Sequence, residues 1–127
     1  MCDENKSIHL VLDDNELEDK ILKFLKNYAK NIKTFNHVNK FLNEPLSSTP
    51  ACLITSLDLS QGDGVNLIKR VQSNGLSIPV VVIATDDDNV YSAVKAMQAG
   101  AADFILQPIV ERDFVERIDK IIKSLED

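Results

Sequence analysis

The run Pro79–Ala84, PVVVIA, constrains this chain more than any other segment. It is apolar throughout, too short to cross a bilayer, and lacks the period-two alternation of a strand with one wet face. A strand covered on both faces reads this way, and such strands belong to parallel sheets flanked by helices. The remaining segments agree. Ile8–Leu12 is a short β-rich run, Ile32–Phe35 a second and weaker one, Ala51–Thr55 a third and Asp103–Leu106 a fifth. Between them, apolar residues recur at helical spacing. Leu17, Ile21, Phe24, Leu25 and Tyr28 mark a first helix, Val38–Leu42 a short second one stopped by Pro45, and Val65, Leu67, Ile68 and Val71 a third. A fourth runs through Ala99, and Glu111–Leu125 is a fifth with Phe114, Val115, Ile118, Ile121 and Ile122 on its apolar face. Asn15, with Glu18 three residues on, is the predicted N-cap of the first helix. Gly75 suits the left-handed position that ends the third, Gly100 closes the fourth, and Leu46–Pro50 reads as loop. Five strands alternating with five helices predict an α/β fold, a single five-stranded parallel doubly wound sheet forming one domain over residues 1–127.

Composition narrows the function. The 127 residues suffice for one sizeable core, and 44% hydrophobic with 27% charged residues is the balance of a globular protein. A net charge of −6, with no basic patch, argues against a nucleic-acid surface, which needs clustered Lys and Arg to displace phosphate counterions. No apolar run reaches ~18 residues and Met1–Lys6 is polar, so neither a signal peptide nor a membrane partner is expected, and the cytoplasm is the expected compartment. Cys2 and Cys52 have no metal-site spacing and read as a tail thiol and a buried apolar filler. His9 and His37 lack partners at ligand spacing and are expected at a strand edge or on the surface.

In a doubly wound sheet the site lies at the carboxyl ends of the central strands. The groups delivered there are Asp13-Asp14-Asn15 after strand one, Ser56 with Asp58 after strand three, Thr85 with Asp86 after strand four, and Gln107 after strand five. No glycine-rich phosphate loop follows strand one, so neither a dinucleotide fingerprint nor a Walker-type loop is available. Asp13 and Asp14 would repel a flavin phosphate. The acids and hydroxyls come with no lysine or arginine from the strand ends.

With these landmarks in order, the chain resembles the receiver domain of two-component response regulators over essentially its whole length. The match rests on Asp13-Asp14, the segment Ser56–Gly64, Thr85 and Gln107-Pro108. The stretch Thr85–Pro108, TDDDNVYSAVKAMQAGAADFILQP, is similar to regulators of the nitrogen-fixation type, in which an AVxAMxAGAxDF signature precedes a Lys-Pro pair. The resemblance implies the flavodoxin-like receiver fold, a metal-holding role for Asp13 and Asp14 (usually toward magnesium), a phosphoryl-contacting hydroxyl at Thr85 and a switch aromatic at Phe104. It also implies a phosphoacceptor eight residues before the loop glycine and a lysine just before the strand-five proline. Counting back from Gly64 gives Ser56, and the lysine position holds Gln107.

Both departures strike the chemistry. A carboxylate attacks phosphohistidine to form a labile mixed anhydride, whereas a serine hydroxyl needs a base and yields a stable ester. A lysine neutralises charge on the transferring phosphoryl group, and a neutral amide supplies only a hydrogen bond. Asp86 stands where the family usually has a small residue and would repel a phosphodonor. Asp58 has three readings: a relocated acceptor, a metal or polar loop contact, or a solvated loop carboxylate. Asp13 and Asp14 either cap the first helix or retain magnesium. The expectation is a non-enzymatic pseudo-receiver that requires no cofactor, with residual Mg2+ at Asp13 and Asp14 left open. Its partner, a protein or a second copy, is expected on the face of the fourth helix, fifth strand and fifth helix, with Val90, Tyr91 and Ile105 as candidate anchors. A DNA-binding effector domain in a longer chain is part of this expectation. Two alternatives stand beside it: an active phosphoacceptor module using Asp58, and a small-ligand-binding domain using Ser56, Thr85 and Gln107.

Overall fold

The computed structural model describes residues 7–12, 14–29, 31–37, 40–41, 43, 52–56, 58–59, 62–73, 75, 78–84 and 90–124. Five parallel strands form the sheet: β1 (Ser7–Val11), β2 (Asn31–Phe35), β3 (Cys52–Ser56), β4 (Val80–Ala84) and β5 (Asp103–Leu106), in the order β2-β1-β3-β4-β5. The helices are α1 (Asn15–Leu25), α2 (Gly64–Ser73), α3 (Val90–Ala99) and α4 (Glu111–Ser124). The predicted second helix lies largely outside the described residues, although the amides of Lys40 and Phe41 both donate to the His37 carbonyl in a helical turn. The predicted fourth and fifth helices are therefore α3 and α4. The loop predicted over Leu46–Pro50 also lies outside the described residues.

Side-chain alternation along the strands builds a core on each face of the sheet. Ile8, Leu10, Cys52, Ile54, Val81, Ile83 and Ile105 pack with Leu17, Ile21 and Leu25 of α1 and Phe114, Ile118 and Ile122 of α4. Val11, Leu53, Val80, Val82 and Ala84 pack on the other face with Leu67, Ile68 and Val71 of α2 and Ala96 of α3. Every residue of β3 and β4 is buried, as the PVVVIA run requires.

Gly75 and Gly100 both adopt positive φ, +76° and +114°, and their amides donate to the carbonyls of Gln72 and Met97. Gly100 has a second reason to lack a side chain, since a Cβ there would run into the Gln72 side chain of α2.

Two expectations need correction. His9 is neither at an edge nor on the surface, because β2 lies outside β1 and makes it an interior strand. The His9 ring is buried against Phe35 and Phe41, with centroids 5.5 and 5.9 Å away. The N-cap of α1 is Asp14, not Asn15, because Asp14 is the last extended residue (φ −108°, ψ 109°) and Asn15 is already inside the helix. His37 is half-buried, next to β2.

Candidate functional site

Beyond β1 the strand order runs outward to β2, and beyond β3 it runs the other way to β4 and β5. This reversal opens a crevice at the carboxyl ends of β1 and β3, the position where such sheets bind ligands. Ser56 is the last residue of β3, and Asp14 follows β1 as the cap of α1.

Asp14 is exposed, and its place is dictated by the helix it starts. Its Oδ1 accepts from the amides of Glu16 at 3.0 Å and Leu17 at 3.3 Å, and its carbonyl accepts from Glu18 at 3.0 Å. One carboxylate oxygen thus satisfies two of the orphan donors at the start of α1, where negative charge is favoured. Ser56 ends β3 beside Ile83 of β4 and is 9% exposed. Its neighbour Thr55 is fully buried and donates from Oγ1 to the Val11 carbonyl at 2.9 Å, which binds the ends of β1 and β3 together. Gln107 follows β5; its amide donates to the Ala84 carbonyl at 2.8 Å, extending the β4–β5 ladder, and the Gln107-Pro108 peptide is cis.

The structure brings Asp14 and Gln107 to one cleft, and it adds residues that the strand-end reading missed. Lys20 and Lys23 of α1 line this cleft with them. Their three-residue spacing on a helix that starts at the site was the available signal. The cleft is mixed in sign, because Glu16 and Asp19 also line it.

Of the remaining candidates, Asp13, Thr85 and Asp86 lie outside the described residues. Asp58 is not in a loop: Asp58–Leu59 pairs antiparallel with Gly62–Asp63 in a small ribbon, Asp58 opposite Asp63. Phe104 is half-buried, opposite Val82, and packs against the core on the α2 and α3 side. Among the described residues, no three His, Cys, Asp or Glu side chains converge as a metal set.

The face of α3, β5 and α4 departs from expectation in its anchors. Ile105 is 5% exposed, because on β5 its side chain turns toward α1 and α4. The side chains of Val90 and Tyr91 lie outside the described residues. Among the described residues, the exposed large apolar side chains are instead Val94 and Met97 of α3, Leu106 of β5 and Val110 just before α4, at 44%, 47%, 52% and 63%. On this side Arg117 of α4 ties the helix to the sheet. It donates from Nη1 to both carboxylate oxygens of Asp103, at 3.2 and 3.0 Å, and from Nε to Asp113 at 3.0 Å. These bonds, those to Asp103 first, raise the Arg117 pKa and keep the guanidinium charged.

No helix among the described residues is long and apolar enough to cross a membrane. The response regulator receiver domain profile matches residues 8–119. The chain is 28% identical to the response regulator protein TmoT of Ectopseudomonas mendocina over 97% of its own length and 56% of that protein. It is 27% identical to the response regulator protein TodT of Pseudomonas putida over 97% of its length and 54% of that protein. It thus spans about half the length of these curated relatives. Among solved structures, a response regulator receiver protein from Pseudoalteromonas atlantica superposes with a TM-score of 0.84 at 28% identity, covering 93% of this chain and 98% of that one. The FixJ-N structure gives 0.84 at 27%, covering 94% and 95%. Full-length FixJ from B. japonicum gives 0.87 at 25%, covering 97% of this chain and 60% of that one. A flavodoxin-like sheet in the order 2-1-3-4-5, a site at its reversal point and a profile match over most of the length together make this chain a member of the response regulator receiver domain family.

Proposed function

We propose that this receiver domain signals through protein contact and without aspartyl phosphorylation. The observation that carries this reading is the hydroxyl of Ser56 at the carboxyl end of β3, where the eight-residue spacing to Gly64 places the family's acceptor. The supporting change is Gln107, a neutral amide in place of the cation that balances a transferring phosphoryl group. The two substitutions remove one negative and one positive charge together, so the site stays near its original electrostatic balance. No catalytic step is assigned, and the domain acts as a non-enzymatic module in the cytoplasm. It requires no cofactor, and residual magnesium binding rests on Asp13 with Asp14. Output runs through the face of α3, β5 and α4, where Val94, Met97, Leu106 and Val110 stand exposed. The occupant of that face is a protein partner, such as a second copy or an effector domain, including a DNA-binding one, in a longer regulator.

The test is intact mass after incubation with acetyl phosphate and magnesium. The expected mass is unchanged, and a beryllofluoride mimic leaves the amide signals of Thr85 and Phe104 in place. A phosphate adduct mapping to Asp58 would overturn the proposal in favour of a relocated acceptor.

A further inference from the structure

β5 is an edge strand, so within the sheet its backbone ladder reaches only β4. Its first residue supplies a second attachment. Asp103 Oδ1 accepts the amide of the next residue, Phe104, at 2.8 Å, and the same carboxylate receives Arg117 Nη1 of α4 at both of its oxygens, 3.2 and 3.0 Å away. The Nε edge of that guanidinium donates to Asp113, one turn back on α4, at 3.0 Å. Asp113 therefore aims the group across to the strand. One planar fork serves helix and strand at once, which a lysine ammonium, a point charge on a flexible stem, does not reproduce. We propose that Arg117 is a positioning residue for the output face, a clamp that acts through Asp103 to pin the Phe104 backbone to α4 and hold β5 in one arrangement without a phosphoryl signal, on the reading above that this face carries the output.

Exposure separates this clamp from an ordinary surface pair. The Arg117 and Asp103 side chains are 42% and 26% exposed, whereas Arg112 and Glu116 of the same helix are 90% and 68% exposed and 3.7 Å apart. Solvent screens the second pair almost fully, while the first is partly shielded and held by several charge-assisted bonds. What depends on the clamp is local. Phe104 is half-buried against the core on the α2 and α3 side, and Leu106, two residues further along β5, is exposed on the output face. A strand tied to α4 at its first residues presents Leu106 in a fixed place, and a surface fixed beforehand loses little conformational freedom on binding.

Amide hydrogen exchange and methyl NMR on the 127-residue chain test the clamp, with thermal melts confirming that each variant folds. Arg117→Ala should speed exchange at the Phe104 amide about tenfold and broaden the Leu106 methyl signals, while amides of β1 and β3 change by less than about twofold. Loss of a nearby cation would by itself slow base-catalysed exchange, because hydroxide is the attacking ion, so acceleration reads the lost orientation of Asp103. Arg117→Lys keeps the charge and loses the fork, and should leave Phe104 exchanging roughly threefold faster than in the wild type. Unchanged or slower exchange at Phe104 in Arg117→Ala overturns the proposal. So does acceleration spread evenly over all the strands, which is a general loss of stability, or an Arg117→Lys variant indistinguishable from the wild type, which would make charge alone sufficient. The readout needs neither phosphodonor nor partner, so a failure of the clamp appears here and a failure of the phosphorylation-independent reading appears in the intact mass.

Discussion

On the proposed reading, a hydroxyl in place of a carboxylate at Ser56 separates a binding surface from a phosphoacceptor, and the difference can be tested in reverse. Ser56→Asp adds a carboxylate at the carboxyl end of β3, so magnesium affinity should rise while phosphorylation stays poor for want of a cation. Adding Gln107→Lys should restore measurable phosphotransfer, because attraction at ~4 Å is about 4 kcal/mol at an effective dielectric near 20. Intact mass with acetyl phosphate reads the result, and a folded, magnesium-bound double variant that stays inert would show that the site has drifted beyond these two positions. Cys52 gives a second test at this scale. Burial pushes its thiol from 9.0 up to about 12. The native state therefore favours the protonated thiol, and its contribution to stability is complete below the unfolded value and lost as pH rises from about 9 toward 12. The urea midpoint of the wild type should fall more than that of Cys52→Ala between pH ~8 and ~10, with a slope of at most about 1.4 kcal/mol per pH unit. Equal slopes would mean that the thiol is not shielded in solution. That Cys52 is core was legible from its place in an apolar strand. The burial of His9 was not, because it depends on which strand lies outside β1, and strand order is a property of the assembled sheet.

Elements were legible where periodicity and local chemistry agreed. The PVVVIA run, the i, i+3, i+4 stripe of α4 and the glycines after α2 and α3 each specify an element without reference to the rest of the chain, and each is found where expected. The ribbon at Asp58–Asp63 was missed because two-residue strands carry no period to read. The start of α1 was misplaced by one residue, since Asp14 and Asn15 are both good caps and only the backbone conformation separates them. That displacement has an energetic consequence. If Asp14 Oδ1 satisfies the amides of Glu16 and Leu17, Asp14→Ala should cost about 1 kcal/mol by urea denaturation, and Asn15→Ala only a few tenths. The reverse order would return the cap to Asn15. The site was legible to the same partial degree: spacing along the chain located Ser56 and Gln107, but Lys20 and Lys23 enter from the side of a helix, where only its rotation against the β5–α4 connection brings them to Gln107.

Across the whole molecule, the arrangement of the sheet decides which apolar side chains serve the core and which stay exposed. β5 is an edge strand; Ile105 turns inward under α1 and α4, while Leu106, of opposite parity and at the end of the strand, stays 52% exposed. Reading the chain alone put Ile105 among the anchors of the α3–β5–α4 face, because a single strand does not say which parity is covered. The consequence is measurable as a contrast. Ile105→Ala removes buried volume and should cost roughly 2–5 kcal/mol. Met97→Gln and Leu106→Gln alter exposed positions and should each stay within about 0.5 kcal/mol of the wild type in urea denaturation. The same two changes should nevertheless weaken association through this face, since buried apolar anchors dominate most interfaces whereas exposed ion pairs such as Arg112–Glu116 contribute only ~0–1 kcal/mol. The appropriate measurement pairs denaturation with binding in a regulator that carries its effector region. Stability unchanged and binding lost identifies Met97 and Leu106 as contact residues. Stability lost by more than about 2 kcal/mol would mean that both side chains are core in solution, and binding retained would leave the α3–β5–α4 face without its proposed role.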